Sequence, residues 1–188
     1  MSQFKIAGGH RPPRYSRCKT CVLESNQIMV LALLTASLVS IVCFIITVLM
    51  GFMMVGRSGL GQHFLFGFFT TFLVTLAQSM IMFYFIGTGR QVKDLMADHP
   101  ARNEFIQRTK RFKAEVFPSA MWAMLFTMAT MIIGGGVHTR VAWTPPLLHA
   151  LLAAASLYFN IMAFWKEAKY MVENNVLMEE LDRLLQAE

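Results

Sequence analysis

The residues in this sequence best suited to hold a redox metal are three histidines. His63 follows Gly61-Gln62, His138 follows Gly134-Gly135-Gly136-Val137, and His149 follows Thr144-Pro145-Pro146-Leu147-Leu148. On helical wheels at about 100° per residue, His63 shares an arc with Gly67, Thr70, Thr71 and Gln78. His138 falls with Thr127, Thr130 and Gly134, and His149 with Ala153, Ser156 and Asn160. Each imidazole thus lies on the small, polar face of its helix, which in a membrane turns toward the bundle interior. Two neutral imidazoles from facing helices are the axial ligands expected of a b-type haem, and three would instead hold copper or zinc. Gly67, Gly134 and Gly135 would let a porphyrin lie against backbone, since glycine offers no side chain there. Arg57 and Arg140, expected at the same level, would pair its propionates through charge-assisted hydrogen bonds, with Gln62 and Trp143 on the rim.

Other motifs carry less. Cys18-Lys-Thr-Cys21 has the spacing of half a zinc ribbon or of a dithiol, but the remaining cysteine, Cys43, stands alone in an apolar run. The bland reading, a solvated tail with reduced thiols, is preferred. Met121, Met124, Met128 and Met131 form a stripe that reads as flexible packing before it reads as a copper path. His99 precedes Pro100 in a charged stretch and reads as solvated. No Asp or Glu lies in any expected span to act as a general base, and no nucleophile or phosphate-binding loop stands out. A relay or accessory role is therefore expected before a self-contained enzyme.

The elements that must position the histidines follow from composition. A chain of 188 residues with 55% hydrophobic and 15% charged residues is too apolar for an ordinary soluble domain. Four stretches lack Lys, Arg, Asp and Glu: 25–56, 58–89, 116–139 and 141–165. Each is long enough for a spanning helix of about 20 residues. The expected fold is all-α and integral to the membrane, an antiparallel four-helix transmembrane bundle with spans near 27–55, 62–89, 116–138 and 145–165. The spans make one domain, 25–165, preceded by a basic tail, 1–24, that carries the CxxC. Gly87-Thr88-Gly89 fits a helix stop, the mixed-charge segment 90–115 fits an amphipathic surface loop, and 166–188 fits a cytoplasmic amphipathic helix. The apolar stripe of that last helix (Met171, Val172, Val176, Leu177, Leu181 and Leu184 or Leu185) is expected to dock a partner or the inner leaflet.

The net charge of +6 points to topology and not to nucleic acid. Basic residues gather before the first span and between the second and third, whereas the other two links hold only Arg57 and Arg140. By the positive-inside rule both termini are cytoplasmic, with a bacterial inner membrane the expected location. No cleavable signal peptide is expected, because the first apolar run begins late and is long. All three histidines then lie toward the outer ends of their helices. The architecture is similar to that of the small haem-b membrane anchors of respiratory complexes, a likeness of fold alone. The functional expectation is an electron-transfer subunit that binds haem b through two of His63, His138 and His149 and exchanges electrons with quinol or a redox partner. The rivals are an accessory subunit of a larger membrane complex and a metal-ion transporter using Met124 and Met128.

Overall fold

A computed structural model describes residues 19–53 and 60–187. It contains four α-helices: α1 (Lys19–Met53), α2 (Leu60–Leu95), α3 (Arg102–His138) and α4 (Pro146–Ala187). No strand occurs among the described residues. All four helices are long and apolar enough to cross a membrane. They close a ring in which α1 packs on α2, α2 on α3, α3 on α4 and α4 on α1, while α2 and α4 barely touch across the middle.

Local chemistry explains the ends of the polar crossing between α3 and α4. α3 stops in a Schellman arrangement: the Val141 amide donates to the Gly136 carbonyl at 2.9 Å and the Arg140 amide to Val137 at 3.2 Å. Arg140 takes the left-handed position, at φ 59°, that glycine usually fills. α4 restarts with Pro146 in its first turn, where a missing N–H costs little.

The helices overrun their apolar spans. At 1.5 Å per residue the 42 residues of α4 reach about 63 Å, roughly twice a hydrocarbon core of about 30 Å. Trp143 and Trp165, 68% and 70% exposed, bracket the apolar half of α4 as interfacial tryptophans do. Between them the outward surface is lipid-like, with Leu65, Phe68, Phe72 and Leu151 among its exposed residues. Inside, this half is packed by small and hydroxyl side chains, Ser37, Ser40, Thr70, Thr127 and Ser156, all buried. Such residues let membrane helices approach closely.

Beyond Trp165 the helices continue as a bundle with a core of the soluble type. Val92 and Met96 from α2 and its following turn, Phe105 and Phe112 from α3, and Tyr170, Met171, Leu177 and Leu181 from α4 form one buried cluster. Three expectations change here. α2 does not stop at Gly87-Thr88-Gly89 but runs to Leu95, with the Thr88 hydroxyl turned back onto the Tyr84 carbonyl at 3.0 Å. Residues 90–95 and 102–115 are the ends of α2 and α3, so the helical spacing read as a membrane-surface loop serves helix packing. The 166–188 stripe is divided: Met171, Leu177 and Leu181 are buried within the chain, while Val172 and Val176 remain exposed. The cause is common to all three, since apolar residues at helical spacing bury equally well against a neighbouring helix or a bilayer, and here the neighbouring helix is present. An Arg108–Glu180 ion pair ties α3 to α4 along the same segment.

Candidate functional site

Opposite this extension, at what we call the histidine end, His63 of α2 and His149 of α4 face one another across the bundle. Their ring centroids lie 6.2 Å apart with the planes at 76°. Each ring occupies a space that a glycine leaves open. A Cβ on Gly51 would stand 3.0 Å from His63 Cε1, and a Cβ on Gly134 would stand 2.7 Å from His149 Cε1. A side chain at Gly134 would collide with the His149 ring and one at Gly51 would press on the His63 ring, so α1 and α3 act as the walls against which the imidazoles rest.

Hydrogen bonds set the rings further. His149 Nδ1 lies 3.1 Å from the Thr130 carbonyl oxygen, to which it donates, leaving Nε2 with its lone pair. His63 bonds to the Thr47 backbone, while its Nδ1 is buried and without a hydrogen-bond partner. Both imidazoles therefore have one nitrogen tied to backbone and one available as a ligand. Metal-binding histidines are commonly held in this way, the outer bond fixing tautomer and orientation. Two imidazoles on opposite sides of one metal ion, at about 2.0–2.1 Å each, have centroids a little over 6 Å apart, and the 6.2 Å here is of that size.

The third histidine does not join the pair. His138 is exposed at the last turn of α3 and stacks on Phe64, with centroids 5.2 Å apart and planes at 15°. Among the described residues no group of three His, Cys, Asp or Glu side chains is close enough to hold a metal ion. The ring contact the packing provides is between His63 and His149. His149 lies beside Thr130 and Gly134, one to two turns below His138, as the helix boundaries imply.

The glycines expected to floor a porphyrin divide. Gly134 seats His149 itself, and Gly136 seats Thr144, whose Cγ2 would be 2.5 Å from an added Cβ. Gly67 and Gly135 are more open: an added Cβ would meet only Thr47 or Phe64, each at 3.6 Å. The donor pair thus fits a haem iron, and of the expected backbone floor Gly67 and Gly135 remain. Arg140 is exposed beside this end, whereas Arg57 and Cys18 lie outside the described residues, as does the Cys21 side chain. Met121 and Met128 are 61% and 49% exposed, whereas Met124 is half-buried and its Sδ accepts from the Ser79 hydroxyl of α2 at 3.9 Å.

The chain matches no protein-family model, no curated protein and no solved structure.

One ionisable residue escaped the sequence reading. Glu167, two residues past the expected end of the fourth span, is fully buried between Ser37 of α1 and Gln78 of α2. It follows Asn160 by seven residues and precedes Asn174 by seven, and all three are buried. That spacing extends the His149, Ser156, Asn160 stripe along one face of α4 and is the signal that would have revealed it.

A test of the glycine seats follows. Gly134→Ala gains helix propensity worth about 1 kcal/mol, but its methyl group collides with the His149 ring, at a cost of about 1–3 kcal/mol for overpacking. The net expectation is lower thermal stability. Gly87→Ala, where a Cβ would meet nothing within 4 Å, should raise stability by about 0.5–1 kcal/mol. Melting of the two variants in detergent measures the contrast, and equal melting temperatures would contradict it.

Proposed function

We propose that the protein is a membrane electron-transfer subunit, an antiparallel four-helix bundle with both termini cytoplasmic, in which His63 and His149 are the axial ligands of a b-type haem at the outer end. The observation that carries this reading is the facing imidazole pair, each ring bonded to backbone through one nitrogen and free at the other. A bis-imidazole pair is the complete protein ligand set for such an iron, so no third ligand is needed. When bound, the haem supplies one-electron chemistry. The chain's part is to hold two neutral imidazoles at fixed spacing, to exclude water with Thr47, Thr70 and Thr130, and to offer Arg140 for a propionate. The gathering of basic residues at the end away from the histidines supports the orientation.

A groove between α1 and α2 supports quinol as electron donor. It has a volume of about 660 Å³ and is lined by Met50, Leu65, Phe66, Phe68, Phe69 and Phe72, with Gln62 as the polar member. An apolar ring with a polar head, arriving from the lipid, would meet hydrocarbon first and the amide last. Gln62 precedes His63 on α2, so its amide lies at the same level as the histidine pair but about 100° round the helix, on the outward face. The expected result is rapid reduction of the haem by a short-chain quinol in detergent, slowed at least several-fold by Gln62→Leu. A haem that dithionite reduces and quinol does not would end the quinol assignment.

A further inference from the structure

The middle of the bundle holds two polar acceptors with no donor. Glu167 Oε1 and Gln78 Oε1 are both buried and lack a hydrogen-bond partner, in side chains 0% and 1% exposed. The two side chains are in contact, since Gln78 hydrogen-bonds to the Glu167 carboxyl. The Ser37 hydroxyl donates to Glu167 Oε2 at 3.2 Å. Leaving either acceptor unmet in a low-dielectric interior costs about 1–3 kcal/mol, and more if the carboxyl is charged.

Among the described residues no cation pairs with that carboxyl. From α1 the group facing Glu167 is Ser37, from α2 it is Gln78, and the α3 residues level with it, Val116 and Ala120, are apolar and fully buried. Its sequence neighbour Lys166 pairs with Glu115 of α3 at 3.4 Å, and the two are 39% and 45% exposed. Among the described residues no Lys, Arg or His is paired with Glu167.

We propose that Glu167 is a proton-binding site: its carboxylate takes up one proton on Oε1, and the resulting O–H donates to Gln78 Oε1 while the Gln78 amide donates back to the carboxyl. A single proton then satisfies both orphaned acceptors and closes an acid–amide pair. The step is a simple protonation, carboxylate plus proton giving the neutral acid, with water as the proton source and no other reactant. A metal cation fits less well, because hard cations require a nearly complete shell of oxygens and only Glu167, Gln78 and Ser37 reach this point. Buried carboxyls at membrane depth serve as reversible proton carriers in pumps and transporters. The site lies at the level of Trp165, where the bundle leaves the bilayer. This inference stands whether or not the histidine pair holds haem.

Infrared spectroscopy of the full-length protein in lipid tests it. The wild type is expected to show, at neutral pH, a carboxylic-acid C=O band that moves in heavy water and when glutamate is labelled with ¹³C. Glu167→Gln should remove the band, while Gln78→Leu should move it to higher frequency by deleting its hydrogen bond. The Gln78 variant keeps the assignment testable if the Glu167 variant does not fold. Absence of the band across the neutral range, its survival in Glu167→Gln, or its displacement by added sodium would each overturn the proposal.

Discussion

His149→Leu protein is expected to purify in full yield and without b-type absorbance, and His63→Leu to do the same. Each substitution removes one of the two proposed ligands and puts an apolar side chain of similar size in place of the imidazole. His138→Leu is expected to keep its full complement of haem, because His138 is exposed at the last turn of α3 and stacks on Phe64. The three variants together separate a ligand pair from a general requirement for imidazole at this end. Loss of absorbance in all three, or in none, would show that the facing pair is not the ligand set. Pyridine haemochrome content per chain is the readout.

The second large effect is expected away from the site. Phe85, near the end of the second apolar span, is 1% exposed in the buried cluster that continues past it, and Phe85→Ala should cost about 3–5 kcal/mol through lost burial and the cavity left behind. Leu181→Ala, six positions from the last described residue but only 1% exposed, should cost about 2–5 kcal/mol. Val172, 57% exposed on the same helix, should tolerate alanine within about 0.5 kcal/mol. Chemical unfolding in detergent measures all three. If Leu181→Ala were as harmless as Val172→Ala, residues 166–187 would not be part of the folded bundle.

That pair of residues shows what was legible in the sequence. Leu181 and Val172 belong to a single apolar stripe when read from spacing alone, because a helical period says that a face is buried and not what buries it. The partner faces, carrying Phe105 and Phe112, came from a segment whose mixed charges read as surface. Helix number and type were plain from the four uncharged runs, since backbone satisfaction in lipid leaves few alternatives to a helix. The end of α3 at His138 was legible because glycines and a polar crossing follow the apolar run. The end of α2 was not, because Gly87 and Gly89 sit within a helix that packing holds together.

The site was legible in the same uneven way. The polar faces of α2 and α4 brought His63 and His149 inward, and the pair faces as those wheels require. His138 shared the wheel position but sits on the last turn, where Phe64 offers a flat surface to an exposed ring. Gly134 was singled out correctly as a place without a side chain, yet the space it leaves holds an imidazole. Gly51 and Thr47 on α1 drew no notice as ligand supports, since a wheel shows which face is small and not which ring rests against it. Glu167 was hidden by the habit of ending a span at the first charge, here Lys166, when the buried face continues past it.

The most direct measurement of the central claim is the dithionite-reduced minus air-oxidised visible spectrum of the purified wild-type protein, taken with its iron content. The account predicts a sharp b-type alpha band and one haem per chain, held by two imidazoles. A flat spectrum from protein expressed with ample haem and retaining its fold, with no iron bound, would contradict it.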